Sequence, residues 1–369
     1  MCFDLHFGER LAQSEMETVM LAGRVELVSV SDDKGGGRVW QRDEMKYVPF
    51  GNTGLSVSVI TLGCMSYGES GKGTHPWSMD EASSRPFIEQ ALEAGINCFD
   101  TANVYSLGSS EEIVGRALAD MTNREDVIIA TKVRGRMREG RFGEGLSRKA
   151  IMHEVDQSLK RLGTDYIDLY QIHRWDHHTP IEETMEALHD LIRSGKVHHI
   201  GASSMYAWQF SKAQYTADSN GWTRFVSMQP HYNLINREEE REMLPLCRDM
   251  HVAVIPWSPM ARGKLTREWG ATTNRTESDD FGRYLYSMEE SDKAVSDAVG
   301  VVAEARGVPR ARIALAWVLR NKAVTSPIIG ATKPHHIDDA VAAVELELTN
   351  DEAQLLEEHY LPHPIVGFA

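Results

Sequence analysis

Reactive side chains stand where successive hydrophobic segments of the chain end. Four of them, Asp100, Tyr105, Lys132 and His173, are ionisable groups that can give up, accept or hold a proton. Taken alone, none of them indicates catalysis. A lysine at a strand end is usually solvated, and a lone histidine usually packs in a core or loop. Together they fall at the same end of successive segments, which predicts a single active site.

Seven such segments share one pattern, in which an apolar stretch rich in β-forming residues stops at a polar, aromatic or glycine residue. They are Ile96–Ser106, Val127–Val133, Tyr166–Trp175, His199–Met205, Phe225–Asn233, Val252–Gly263 and Ser326–Lys333. Amphipathic stretches of helical period separate them. This alternation of strand and helix predicts a parallel sheet.

The elements that would position these residues can be bounded along the chain. The predicted strands are Val57–Leu62, Ile96–Asp100, Val127–Lys132, Tyr166–His173, Val197–Ala202, Phe225–Gln229, Val252–Trp257 and Pro327–Ile329. The predicted helices are Asp80–Ala94, Ser110–Ala119, Ser147–Leu162, Ile181–Arg193, Tyr206–Ala217, Arg237–Met250, Ser296–Arg306, Ala311–Arg320 and His335–Val344. Eight strands with reactive residues at their C-terminal ends predict an α/β fold, the (β/α)8 TIM barrel.

The two ends of the chain differ from this pattern. An N-terminal β-hairpin is predicted around the turn Asn52-Thr53-Gly54, and residues 1–44, with the glycine triplet at 35–37, predict a poorly ordered extension. Residues 45–369 are then a single barrel domain with extended C-terminal loops, including a long polar insert over 266–290. The charged run 237–241 is interpreted as a solvated helix face.

Composition excludes several function classes. A net charge of −15 argues against nucleic acid or an anionic membrane as the main partner. The four cysteines have no zinc-type spacing, which is typical of reduced thiols, and no long apolar run or signal peptide is present, so a cytoplasmic protein is expected. The adjacent histidine pairs at 177–178, 198–199 and 335–336 lack the spacing of a metal site, so no metal is predicted.

The strings FDTANVYSLGSSEEIVGRAL, IIATKV, DLYQIHRW and PWSPMARGKL resemble the aldo-keto reductase superfamily. The resemblance runs from about Lys46 to the C-terminus. It is closest to the versiconal hemiacetal acetate reductase-like branch, which has strings similar to GASSMYAWQF and ATKPHH. It implies an NADP-dependent oxidoreductase.

The resemblance implies a catalytic role for Asp100, Tyr105, Lys132 and His173. Tyrosine, with an ordinary pKa of about 10, is a poor acid at neutral pH. A nearby Lys132 ammonium would favour the tyrosinate and make the phenol of Tyr105 a better acid. Asp100 would pair with Lys132, and His173 would hydrogen-bond the substrate carbonyl oxygen. The expected substrate is a small-molecule carbonyl compound bound by Tyr105, His173 and Trp175.

The resemblance also implies an extended NADPH or NADP+ laid across the barrel mouth, consistent with the absence of a GxGxxG motif after a strand. The nicotinamide half would contact Cys64, Met65, Asp100, Ser203, Ser204, Gln229 and Trp257. The pyrophosphate would contact Ser258, Pro259, Met260, Arg262 and Lys264. The adenosine end would contact Gly330, Thr332, Lys333, His336 and Asp339, with Lys333 on the 2′-phosphate and Arg275 as a clamp from the insert.

The expected activity is reduction of aldehydes or ketones to alcohols, with Tyr105 as general acid. Two alternatives stay open. One is a cofactor-binding regulatory subunit similar to the potassium-channel β subunits of the same superfamily. The other is an NADP-dependent alcohol or sugar dehydrogenase working in the reverse direction, because the same residues serve both directions. The sequence does not distinguish a monomer from a homo-oligomer.

Overall fold

The computed structural model describes residues 45–73, 75–273, 278–286 and 288–368. The predicted extension, residues 1–44, and Arg275 lie outside these ranges. None of the helices within them is long and apolar enough to span a bilayer.

Eight parallel strands form the centre of the fold, which confirms the predicted α/β (β/α)8 barrel. They are β3 Thr61–Gly63, β4 Cys98–Asp100, β5 Ile128–Val133, β6 Ile167–Ile172, β7 Val197–Ser203, β8 Ser227–Gln229, β9 Ala253–Val254 and β10 Ile328–Gly330. Neighbours pair in the order β10-β3-β4-β5-β6-β7-β8-β9. A parallel bridge between Trp257 and Ile328 joins the two edges and closes the barrel.

Helices on the outside of the barrel bury the other face of the strands. They are α1 Glu81–Glu93, α2 Ser109–Met121, α3 Arg148–Leu162, α4 Ile181–Arg193, α5 Ala207–Asn220, α6 Met243–Asp249, α7 Asp280–Leu285, α8 Glu289–Arg306, α9 Arg310–Arg320, α10 His335–Val344 and α11 Asn350–Glu357. Every residue of β5 and β6 is buried, as expected for strands covered on both faces. The C-terminal ends of the strands therefore open onto one common face.

The predicted N-terminal hairpin is confirmed and closes the opposite end of the barrel. Its strands, β1 Tyr47–Pro49 and β2 Ser56–Ser58, pair antiparallel. Phe50 and Val57 bury their side chains in one apolar cluster with residues from inside the barrel, including Leu169 and Ala253. The hairpin therefore covers the N-terminal end of the barrel, away from the reactive residues.

The first predicted strand, Val57–Leu62, is wrong as one continuous element. It divides into β2 of the hairpin and β3 of the barrel. Between them the Ser58 hydroxyl donates to the Ile60 carbonyl over 2.7 Å, and the Ser58 amide donates to the Asn97 side chain over 2.8 Å. These bonds hold the bend that redirects the chain from the hairpin into the barrel.

The predicted helix Arg237–Met250 is also wrong. Glu238–Glu240 form a 3-10 turn, and α6 begins only at Met243. Pro245 stands near the start of α6, where a missing amide is tolerated, but its ring would clash with a helical carbonyl of residue 241. The interpretation of the run as a solvated face fails at Glu239, which is buried, so that desolvation raises its carboxyl pKa to about 8.

The C-terminal third contains more helix than predicted. The insert contributes α7, and α8 begins at Glu289 rather than Ser296. The unpredicted α11 begins with a capping box, in which Thr349 accepts from the Glu352 amide and Glu352 accepts from the Thr349 amide. Thr-x-x-Glu is a known helix-start pattern and was the available sequence signal.

Candidate active site

The carboxyl ends of β4 and β5 bring three of the predicted catalytic residues into contact. Lys132, buried at the end of β5, donates from Nζ to Asp100 Oδ1 over 2.5 Å and to the Thr101 carbonyl over 2.8 Å. Its Nζ also lies 3.3 Å from Tyr105 Oη. The lysine ammonium thus links a carboxylate on one side to a phenol on the other.

Asp100 is held on its second oxygen as well. Asp100 Oδ2 accepts from Gln171 Nε2 over 3.0 Å and from Gln229 Nε2 over 2.9 Å. These amides come from β6 and β8, so the carboxylate is fixed by residues from three other barrel strands. Both of its oxygens are paired, which is what allows a charge to be buried here.

Tyr105 is positioned by a tight turn between β4 and α2. The turn Tyr105–Gly108 contains positive φ angles at Ser106 and Leu107. Gly108 itself has φ 93°, and a Cβ there would lie 2.5 Å from the Arg161 side chain. A glycine is therefore required at this point for the turn to close against α3.

His173 completes the group from the end of β6. Its ring lies edge-on to Tyr105, with centroids 5.8 Å apart and planes at 82°. Burial, followed by the cations Arg174 and Lys132, holds the pKa of His173 well below its usual range. The pKa of Lys132 moves the other way: burial would lower it, but Asp100 and Tyr105 outweigh that effect and raise it. His173 is therefore neutral and Lys132 charged at neutral pH.

A cavity of about 1210 Å³ lies over these residues. Most of the predicted cofactor and catalytic residues line it, namely Met65, Asp100, Tyr105, His173, Gln229, Trp257, Ser258, Pro259, Met260, Arg262, Gly330, Thr332, Lys333, His336 and Asp339. The wall thus runs from the Tyr105 turn to the start of α10. This brings the predicted substrate, nicotinamide, pyrophosphate and adenosine contacts into one continuous space.

The structure places the other predicted residues behind the wall or beside it. Cys64 and Ser203 are buried, and Ser204 accepts from Trp257 Nε1 over 2.9 Å. Lys264 Nζ lies over the Trp269 ring at 4.2 Å. Trp175 is buried, with its ring 6.1 Å from that of Trp208. None of these lines the cavity in the described part of the chain, and their roles stay predictions.

Trp257 has one ring face covered by protein. His231 stacks on it with centroids 4.1 Å apart and planes at 9°. His231 Nε2 lies 2.7 Å from Tyr286 Oη, which follows α7, and burial lowers the pKa of His231 to about 3. The insert therefore supports the ring of His231 behind the tryptophan, and Trp257 itself lines the cavity.

The insert also closes part of the cavity. Arg262 forms a bidentate ion pair with Asp279 over 2.5 and 2.8 Å, and both side chains are only 6% exposed. Asp279 in turn caps α7 by accepting from the Gly282 amide. Phe281, on α7, lies 6.4 Å from Trp257 and lines the cavity. Sequence reasoning identified Arg262 but not the partner that holds it.

The cavity is also lined by residues that were not predicted as site residues, among them His75, Trp77, Arg174, Arg267 and Phe281. Arg174 follows the predicted His173 directly, and Trp77 stands in the loop after β3 among other aromatic residues, so both had a sequence signal. Arg267 and Phe281 lie in the insert, whose course no local pattern predicts. In the described ranges, no cluster of three or more His, Cys, Asp or Glu side chains could hold a metal ion.

The part of the chain that matches known proteins is the part that forms the barrel. Residues 59–361 match the sequence profile described as the Aldo/keto reductase family. The chain is similar to versiconal hemiacetal acetate reductase of Aspergillus parasiticus, with 45% identity over 342 residues, covering 87% of this chain and 98% of that protein. A putative aryl-alcohol dehydrogenase of Schizosaccharomyces pombe is 42% identical over 346 residues, covering 87% and 97%. An aldo-keto reductase of Alternaria alternata is 41% identical over 345 residues, covering 87% and 93%.

Proposed function

This chain belongs to the aldo/keto reductase family, and on that premise we propose that it reduces aldehydes or ketones to alcohols with NADPH, using Tyr105 as the general acid. Family membership by itself supports an oxidoreductase that acts on small-molecule carbonyl compounds. The observation that carries the finer proposal is the chain of contacts Asp100–Lys132–Tyr105 beside His173 at the wall of one large cavity.

Each of these residues has a distinct task in the proposed reaction. Tyr105 Oη gives its proton to the substrate oxygen, and the adjacent Lys132 ammonium stabilises the phenolate that remains. Asp100 keeps that ammonium charged and in place. His173, neutral because of its lowered pKa, donates a hydrogen bond to the carbonyl oxygen without adding a second acid. Bound NADPH would supply the hydride to the carbonyl carbon.

The residues present fit an extended dinucleotide. Trp257, backed by the His231 ring, and Gln229 both line the cavity, and an aromatic ring and an amide suit a nicotinamide. Near the other end the cavity is lined by Arg267 and Lys333, which form no ion pair among the described residues. Arg267 donates to the Gly263 carbonyl, and burial lowers its pKa. Two uncompensated cations suit the 2′-phosphate of NADPH, a group that NADH lacks.

Cofactor choice can be tested on these two cations. Lys333→Gln and Arg267→Gln should each weaken NADPH binding about 10- to 100-fold, the range for losing a charged hydrogen bond. NADH binding should change less than about threefold. Lys322→Gln, an exposed lysine in the loop before β10, makes the same change of charge and serves as the control. Equal loss of NADH and NADPH affinity would contradict the proposed 2′-phosphate contact.

The reaction itself is tested by NADPH consumption with a panel of aromatic, aliphatic and sugar aldehydes. Turnover supports the reductase. Tight NADPH binding with no turnover on any of them would favour a regulatory subunit instead. The reverse reaction is the second candidate, because one of the similar proteins is called a putative aryl-alcohol dehydrogenase. It predicts faster NADP+ reduction by alcohols than NADPH oxidation by the matching aldehydes.

A further inference from the structure

The cations that line the cavity are divided into two sets by their partners. Lys132, under the wall, is neutralised by Asp100, and Arg262 is neutralised by Asp279. Arg174, Arg267 and Lys333 line the cavity, and no carboxylate forms an ion pair with any of them within the described ranges. Arg267 and Lys333 belong to the proposed phosphate end. Arg174 stands apart from them, directly after His173, and the proposed cofactor contacts leave it without a function.

Arg174 carries a charge in an unusual environment. Its guanidinium carbon lies 5.7 Å from the Trp257 ring, and one amino group donates to the His173 carbonyl over 2.6 Å. Burial lowers its pKa to about 10, while Tyr105 raises that pKa and Arg134 lowers it by smaller amounts, so it stays charged at neutral pH. A partly buried cation without an anionic partner costs free energy, and a ligand anion would remove that cost.

Among the residues that the structure describes, no acidic side chain accepts a hydrogen bond from Arg174. One amino group is used by the His173 carbonyl, which leaves the other amino group and Nε for a ligand. Two parallel N–H donors match the two oxygens of a carboxylate. The group they would bind lies on the same side as Tyr105 and His173, where the reacting carbonyl is expected.

The surrounding charge favours the same ligand class. Arg134, directly after β5, is a second cation that lowers the pKa values of His173 and Arg174, and it also lowers the pKa of the Asp176 carboxyl. The chain carries a net charge of −15, so a locally positive region at one part of the cavity is not a consequence of overall composition. It attracts an anion that the rest of the molecule repels.

We propose that Arg174 is a specificity-determining residue that binds a carboxylate on the substrate, so that the preferred substrates are carbonyl compounds that also carry a carboxylate group. The inference rests on the proposed function, because it takes the Tyr105 side of the cavity as the place where the carbonyl binds. It assigns to Arg174 a contact with substrate and not with cofactor.

The first experiment needs no turnover. Benzoate and the neutral, similarly shaped benzamide are titrated calorimetrically into the NADP+-loaded protein. Benzoate should bind at least about 10-fold more tightly to the wild type. The Arg174→Gln variant should lose this preference, and Arg174→Lys, which keeps the charge without the planar fork, should retain part of it. Arg141→Gln, an exposed arginine of the loop after β5, should retain all of it.

The second experiment measures kcat/KM with 4-carboxybenzaldehyde and with its methyl ester. The wild type should prefer the carboxylate by at least about 10-fold, and Arg174→Gln should bring the ratio near one through a rise in KM.

Three results would overturn the proposal: equal binding of benzoate and benzamide by the wild type, an unchanged preference in Arg174→Gln, or a matching loss of NADP+ affinity in that variant. A retained benzoate preference without carbonyl turnover would instead contradict the proposed function alone.

Discussion

Lys132 is a charged residue that is fully buried in this fold. Its side chain has no exposed surface, yet it carries a charge, and the structure compensates with Asp100, the Thr101 carbonyl and the Tyr105 phenol. Such an arrangement adds little net stability, because desolvation offsets most of the attraction between the charges. Its benefit lies in function: it fixes a cation 3.3 Å from the group proposed to release a proton.

Removing only the lysine should therefore cost far more than breaking a surface pair. Lys132→Met leaves the Asp100 carboxylate buried with two amide donors, and we expect a loss of about 3–5 kcal/mol in the free energy of unfolding. The matched control is Lys196→Met, whose partner Asp156 lies 2.6 Å away with both side chains about half exposed. That change should cost less than about 1 kcal/mol. Urea denaturation measures both, and similar losses would contradict this description of the Lys132 site.

Some site residues could be predicted from the sequence, and others could not, for physical reasons. Asp100, Tyr105, Lys132 and His173 were predictable because each ends a hydrophobic strand or stands in the turn after one. Arg174 had the signal of standing directly after His173, but alternation along β6 does not show that this residue also reaches the cavity. The contact between Arg262 and Asp279 was not predictable, because Asp279 lies in an insert without periodicity.

Among the elements, the C-terminal tail is attached to α8 by a buried ion pair. His363 Nε2 lies 2.7 Å from Asp292 Oδ1 on α8, with exposures of 5% and 0%. The His363 amide donates to Glu238, and the ring stacks on Tyr360 at 5.6 Å. Glu238 belongs to the run that the sequence suggested was solvated. Local charge pattern could not reveal this, because its partners are more than a hundred residues away along the chain.

The tail should therefore be more stable at acidic pH. Burial alone would lower the pKa of His363, but the hydrogen bond and charge of Asp292 outweigh it and raise the pKa. A raised folded-state pKa gives stability that is full below the unfolded value of about 6.5 and is lost as pH rises through the folded value.

The measurement is thermal unfolding of wild type and His363→Gln across pH. The difference in Tm should be largest below about pH 6.5 and should shrink toward alkaline pH. His359→Gln, at an exposed histidine beside Glu358, serves as the control. A difference that grows with pH would have the wrong sign and would refute the role given to the ion pair.

For the molecule as a whole, the barrel and its hairpin form one unit, and the two ends of the barrel have different roles. The hairpin covers the N-terminal end through Phe50 and Val57, and the loops at the other end form the cavity. The fold class was predictable because alternating strands and helices have few packing solutions. The break at residues 59–60 was not predictable, since it depends on the contact of Ser58 with the distant Asn97, whereas Pro245 was an available signal for the break at 241–242.

We propose that residues 45–369 are the complete functional domain. A chain beginning at Met45 should unfold at the same temperature as the full chain within about 2 °C, with kcat/KM within about twofold, because this range contains the hairpin, all eight barrel strands and the cavity. A chain beginning at residue 59 is the matched control, since it lacks the hairpin and exposes the barrel interior. A loss of activity or stability in the Met45 chain would show that the preceding residues belong to the domain.

The most direct test of the proposed mechanism is NADPH consumption by the Tyr105→Phe variant, measured beside its NADPH affinity. The phenol hydroxyl is the only group removed, so the rate with an aldehyde that the wild type reduces should fall about 100- to 10,000-fold. The NADPH dissociation constant should stay within about threefold, because Tyr105 is assigned to substrate and not to cofactor. Retention of a tenth or more of the wild-type rate would contradict the assignment of Tyr105 as the proton donor.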